Sequence, residues 1–220
     1  MIRRNAAVFG STGLVGSNLL SLLDENKNYN MILAYRRNAY GEIAFQKVKF
    51  VEFSNDFSIP PNTDDVFISL GTTMKKAGSK NAFKAVDFDL VVEVARKAYH
   101  AGVKRIIVVS SIGANSSSSN FYLRTKGEME EELKKFDFEL VAFVRPSILL
   151  GKRNEFRLGE SFGIWFFRVF RFIFVGPLRR YRGIDANDVA KAMIQLALTA
   201  KGKITVESEV LKQIADVYNP

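Results

Sequence analysis

The sequence predicts a doubly wound α/β domain, a parallel sheet with helices on both faces. Three observations carry that expectation. Strand-like and helix-like segments alternate along the chain. Several strand segments are continuous apolar runs, as strands covered on both faces require. Residues 6–16, Ala-Ala-Val-Phe-Gly-Ser-Thr-Gly-Leu-Val-Gly, lead a short apolar strand through Gly10, Gly13 and Gly16 into a Leu-rich helix.

Taken in order, the first strand is expected near 5–9 and the first helix near 14–25, where Leu14, Leu19, Leu20, Leu22 and Leu23 recur. Further strands are expected near 31–35, 48–53, 65–70, 104–110 and 138–144, and helices near 82–101, 121–136, 157–174 and 185–200. The run Asn115-Ser-Ser-Ser-Ser-Asn120 reads as a loop at the carboxyl edge of the sheet rather than a linker. With 220 residues the chain suits one domain spanning 1–220, in which 151–183 form a small substrate or interface lobe.

Apolar residues make up 47% and charged residues 25%, ordinary values for a globular protein. The chain has no cysteine, which excludes disulfides, thiol catalysis and cysteine-based metal sites, and no metal site is expected. The start, Met-Ile-Arg-Arg-Asn, lacks the long apolar region of a secretory signal. Together these predict a cytoplasmic setting.

The glycine turn points to a bound pyrophosphate. Gly10 allows the sharp strand-to-helix turn, Gly13 lets backbone approach phosphate, and Gly16 lets helix and strand pack closely. The helix N-terminus adds unpaired N–H groups and partial positive charge. Gly10, Ser11, Thr12, Gly13, Leu14, Val15 and Gly16 are therefore the first cofactor-binding candidates. Three glycines form a weak signal alone, and gain weight from lying between a strand and a helix.

About twenty residues beyond Gly16 the second strand ends in Arg36 and Arg37. An NAD-selective site carries an acidic residue there to grip the ribose hydroxyls, whereas arginine suits the 2′-phosphate of NADP. The plainer reading is that both arginines begin a solvated loop. After the fourth strand, Leu70, Gly71 and Thr72 form a turn of small residues able to pass beneath a cofactor, or simply a glycine turn.

Residues 104–126 are the most chemically loaded. Tyr122 and Lys126 stand four apart and share one helix face. A free phenol titrates near about 10 and is a poor acid–base group at neutral pH; a nearby ammonium favours the phenolate. Ser110 and Ser111 close the preceding strand and offer a hydroxyl to the same cleft. An exposed Tyr and Lys on an amphipathic helix would give the same spacing by chance.

Together these motifs resemble the short-chain dehydrogenase/reductase superfamily, and more closely its atypical or extended branch of NAD(P)-binding, epimerase/dehydratase-like Rossmann proteins. Leu-Gly-Thr-Thr (70–73), Lys-Ala-Gly (76–78), Ser-Ser-x-Gly-Ala (110–114), Ser-Asn-Phe-Tyr-Leu (119–123) and Lys-Gly-Glu (126–128) are similar to the Tat-interacting-protein oxidoreductase group. Arg-Pro-Ser-Ile-Leu-Leu-Gly (145–151) resembles the segment touching the nicotinamide end, which adds Pro146 and Ile148. The resemblance implies hydride transfer to or from a carbonyl or alcohol substrate. Tyr122 would serve as acid/base, Lys126 would bind the nicotinamide ribose, and Ser111, or its neighbour Ser110, would bind the substrate oxygen. No asparagine, Asn81 included, matches the family's helper position.

The cofactor expected is NADP(H) in preference to NAD(H). Two alternatives stand beside the enzyme. One is a non-catalytic NADP(H)-binding regulator acting through a protein partner. The other is a nucleotide-sugar epimerase or dehydratase, against which the short region after residue 150 argues.

Residues 162–175 place Phe162, Trp165, Phe166, Val169, Phe170 and Ile173 on one helical face, with Arg168 and Arg171 opposite. Lining a substrate pocket, lying in a membrane interface and packing on a second subunit are the competing readings. Residues 145–182 hold eight Arg and one Lys against Glu155 and Glu160, most of the chain's net +9. That excess suits an anionic small-molecule substrate or NADP, and no nucleic-acid motif appears. The one histidine, His100, ends a helix and reads as structural.

Overall fold

In the computed structural model, residues 3–37, 45–151 and 183–220 are described. The expected helix at 157–174, the aromatic-basic segment and all but the ends of the 151–183 lobe lie outside them. The strands are β1 Arg4–Phe9, β2 Tyr29–Arg36, β3 Val48–Glu52, β4 Asp65–Ile68, β5 Arg105–Val109, β6 Leu140–Arg145, β7 Leu149–Leu150, β8 Ile184–Asp185 and β9 Gly202–Glu207. The helices are α1 Leu14–Glu25, α2 Met74–Ala77, α3 Lys80–Lys84, α4 Leu90–His100, α5 Phe121–Leu133, α6 Ala186–Thr199 and α7 Ser208–Asp216. A π-helical turn, Ala85–Asp89, joins α3 to α4.

Seven strands form a parallel sheet in the order β3-β2-β1-β4-β5-β6-β9; β7 and β8 pair separately. Strand order reverses between β1 and β4, and ligands of doubly wound sheets enter at the carboxyl ends beside such a reversal. Alternate residues of each strand feed opposite cores. Ala6, Val8, Ile32, Ala34 and Phe67 pack with α1, α6 and α7. Ala7, Phe9, Leu33, Val66 and Ile68 pack with α4 and α5. The expected doubly wound architecture is thus observed.

Three of the departures from the expected elements have a local reason. β4 stops at Ile68, because Ser69 turns its hydroxyl back onto the carbonyls of Phe9 and Gly10 at 3.1 and 3.2 Å. The single helix expected over 82–101 is three pieces, with Ser79 capping α3 through Ala82 N–H and the π turn inserting before α4. β9 and α7 were not foreseen, since β9 is an edge strand and only Val206 in it is buried.

At the amino edge of the sheet, away from the cleft, the buried Asp65 carboxylate accepts from Arg105 Nε (2.5 Å) and Tyr29 Oη (2.7 Å), with Arg4 at 3.4 Å. Burial raises the Asp65 pKa despite Arg105, and burial followed by the charge of Asp65 raises that of Tyr29.

Candidate functional site

The phosphate-binding candidates cluster at the strand-order reversal. Gly10 has φ +82°, and a Cβ on it would lie 2.7 Å from Ser69 C and O. At Gly16 a Cβ would lie 2.1 Å from Gly10 O, so helix and turn meet only because both are glycine. Gly13 N–H donates to Gly10 O at 2.9 Å, and the buried Ser11 hydroxyl donates to Tyr35 O at 3.1 Å. Ser11, Val15 and Gly16 are buried and shape the turn, whereas Thr12 and Gly13 are exposed on its open side and Leu14 is half-buried. No side chain caps α1 at Gly13, and its first turn has no acidic residue. A helix start of this kind is where an anion could be accommodated.

Arg36 is the last residue of β2, and its guanidinium lies 3.7 Å over the Phe50 ring of β3. That stack holds the cation against β3; Arg37 follows, exposed. Leu70, Gly71 and Thr72 continue from β4 past Gly10. Pro146, after β6, accepts Ile112 N–H at 3.1 Å, and Ile148 accepts Ile184 N–H at 3.0 Å. These contacts tie the loops after β5 and β6 together at the same carboxyl edge.

α5 begins at Asn120, whose Oδ1 accepts Leu123 N–H at 3.2 Å. The loop before it crosses the helix at Gly127, where a Cβ would fall 2.2 Å from Asn115 C and Ser116 N. Tyr122 is half-buried, with its ring 5.6 Å from Phe83. Lys126, one turn on, is buried, and its Nζ lies 2.7 Å from Asp87 Oδ1. A further turn on, buried Glu130 takes both Nε and Nη2 of Arg145, at 2.9 and 2.6 Å. That hydrogen bond is the main cause of a raised Arg145 pKa. Ser111 is half-buried and donates to Ile112 O at 3.3 Å, while the Ser110 hydroxyl is buried with no partner among the described residues.

Asp87 was missed. It sits in the π turn, 1% exposed, and its second oxygen accepts Thr72 N–H at 2.8 Å. The signal was a carboxylate in the apolar stripe Phe83, Asp87, Val91, Ala95, Ala98, all buried. Asn81 lies exposed on α3, and His100 is the last residue of α4. A groove of about 610 Å³ lies elsewhere, between Phe88 of the π turn, Glu93 and Arg96 on α4 and Glu132 on α5, and holds none of the site residues. No helix among the described residues is long and apolar enough to cross a membrane.

The HIM1 family matches residues 43–163 of this chain. Protein fmp52, mitochondrial, from Aspergillus fumigatus is 35% identical over 94% of this chain and 93% of its own length. The chain belongs to the HIM1 family. Another relative, Protein FMP52, mitochondrial, from Meyerozyma guilliermondii, is 38% identical over 68% of this chain and 66% of its own. Among solved structures, the UDP-N-acetylglucosamine 4-epimerase from Methanobrevibacter ruminantium in complex with UDP-N-acetylmuramic acid superposes with TM-score 0.68. It is 17% identical, over 99% of this chain and 83% of that one. The oxidoreductase ylbE from Lactococcus lactis gives TM-score 0.66 at 20% identity, over 98% and 99%. The HIM1-family chain therefore has the same fold as that epimerase and that oxidoreductase.

One expectation is overturned. Relatives over most of the chain are named mitochondrial, against the cytoplasmic setting read from the sequence. The reason is physical: missing a long apolar region argues only against a secretory signal, whereas mitochondrial transit peptides are amphipathic and Arg-rich.

Proposed function

We propose that this HIM1-family protein is an NADP(H)-dependent oxidoreductase of the short-chain dehydrogenase type, acting on a small carbonyl or alcohol substrate. The observation that carries the reading is Lys126, an ammonium buried behind Tyr122 on one helix face and anchored beside the Gly71–Thr72 turn. The residues fit a dinucleotide: the uncapped α1 N-terminus meets a glycine turn whose open side a Cβ at Gly13 would begin to fill. A bound nicotinamide supplies or accepts the hydride. Tyr122 gives a proton to the substrate oxygen or takes one from it, while Ser111 hydrogen-bonds that oxygen. Lys126 holds the nicotinamide ribose hydroxyls with the N–H groups Asp87 leaves over. Arg36, set on Phe50, and Arg37 bind the 2′-phosphate. The motifs shared with the Tat-interacting-protein oxidoreductase group support this assignment of roles.

The test is NADPH consumption with a panel of aldehydes and ketones, wild type against Tyr122→Phe. Wild type should turn over at least one substrate, and Tyr122→Phe should bind NADPH equally well without turnover. If both bind and neither turns over, the non-catalytic regulator replaces the enzyme. Arg36→Ala should weaken NADPH binding by about tenfold, the worth of one charge-assisted contact, with little effect on NADH. An equal effect on both would remove the 2′-phosphate assignment.

A further inference from the structure

We propose that Asp87 is a positioning residue that seats Lys126 for the nicotinamide half of the cofactor and locks it to the turn after β4. The inference rests on the oxidoreductase reading above. Asp87 and Lys126 are both buried, 1% and 5% exposed in their side chains, and their contact is 2.7 Å. Each charge offsets much of the cost of burying the other. Lysine carries its ammonium on a flexible four-carbon stem, so an anchor decides where its remaining donors point.

The anchor itself cannot move freely. The second Asp87 oxygen accepts Thr72 N–H at 2.8 Å, and a Cβ at Gly71 would sit 3.4 Å from the first. The turn after β4 thus closes directly over the carboxylate. Swinging Asp87 to follow a displaced Lys126 would strip the Thr72 amide of its acceptor, which is unfavourable in a buried setting. The π turn is the local cause: it inserts its extra residue between α3 and α4 and leaves Asp87 facing inward. One carboxylate thereby fixes α5 relative to the cofactor turn, and two of the three ammonium donors remain for a ribose diol.

The two halves of the cofactor should depend on Asp87 differently. The adenosine half meets the glycine turn and Arg36, neither of which Asp87 touches. The nicotinamide half meets Lys126. The experiment compares NADPH with 2′,5′-ADP, which keeps the adenosine 2′-phosphate and lacks the nicotinamide, in wild type and Asp87→Asn. Asparagine still accepts Thr72 N–H but no longer carries the charge that seats Lys126. Asp87→Asn should raise the Kd for NADPH about tenfold or more, and shift that for 2′,5′-ADP by less than about twofold. Parallel weakening of both would make Asp87 a scaffold residue and overturn the proposal, as would no change in either.

A second comparison covers the case in which Asp87→Asn alone does not fold. Lys126→Met leaves the Asp87 carboxylate with Thr72 N–H as its partner, and the double variant Asp87→Asn/Lys126→Met leaves neither charge in the core. With Lys126 already gone, Asp87→Asn should change the NADPH Kd by less than about twofold, and a further loss would overturn the proposal. Wild type that binds neither NADPH nor NADH would instead sink the oxidoreductase reading itself, an outcome separate from both.

Discussion

Gly127→Ala is the sharpest test of how the site is built. In an exposed helix interior this substitution stabilises by about 1 kcal/mol, through propensity alone. Here the new Cβ would stand 2.2 Å from Asn115 C and Ser116 N, against 3.4 Å for ordinary contact. The crossing loop must therefore retreat by more than about 1 Å, and overpacking of this kind costs about 1–3 kcal/mol. The loop is not free to do so. Asn115 N–H donates to Leu123 O at 3.1 Å, and Arg124 Nη1 donates to Ser118 O at 2.7 Å. Losing these adds about 1 kcal/mol each. Net of the propensity gain, we expect destabilisation of about 2–4 kcal/mol, a fall in Tm of roughly 4–16 °C for a chain of this size. Thermal and urea unfolding measure it directly. Gly102→Ala is the control: φ is +77° there with nothing within 4 Å of the added Cβ, so only backbone strain of about 1 kcal/mol applies. If Gly127→Ala is as stable as wild type, or no worse than Gly102→Ala, the loop does not cross α5 as described.

Two further outcomes follow from groups around the sheet. Glu130→Gln should cost about 3–5 kcal/mol in urea unfolding by stranding Arg145, and a double change of Glu130 and Arg145 to Met should recover most of it; equal losses for both variants would count against a buried pair. Burial pushes the Tyr35 phenol up to about 12, above its ordinary 10.0. A raised folded-state value means stability is complete below pH 10 and falls between 10 and 12 by about 1.4 kcal/mol per pH unit. Tyr35→Phe should flatten that fall in part, since Tyr29 titrates in the same direction; an unchanged slope would refute the assignment.

What was legible in the sequence was legible because it repeats. α1 was read to the residue, since its leucines recur along one face and Asn26 ends it. The central strands emerged as apolar runs because both faces are covered. β9 did not, because an edge strand that buries one side chain leaves no such run. In the site, the glycine turn and the Tyr122–Lys126 spacing are local patterns and were visible. Asp87 was not, because its partners are Thr72 and Lys126, distant in sequence and joined only by the fold. The π turn compounds the difficulty, since no propensity scale separates five residues of π turn from the α-helix on either side. Compartment is not legible for a different reason: the absence of a secretory signal carries no information about a mitochondrial one.

The composition of α5 carries the last step. Its buried residues are Thr125, Lys126, Gly127, Met129, Glu130 and Leu133, so four of these six are polar or lack a side chain. A helix built only to cover a sheet would present an apolar stripe there, as α4 does with Val91, Val94, Ala95 and Ala98. Replacing a buried ion pair by well-packed apolar residues is often neutral or stabilising, so neither Asp87–Lys126 nor Glu130–Arg145 is accounted for by stability. The two pairs instead form a column with Tyr122 at its outer end, four residues apart at each step, reaching the turn after β4 through Asp87 and the end of β6 through Arg145. Each pair pins α5 to a strand end that carries cofactor-site candidates, Leu70–Thr72 on one side and Pro146 on the other. A helix fixed at those two points holds Tyr122 at a set depth relative to both, as the proton transfer proposed for it would require.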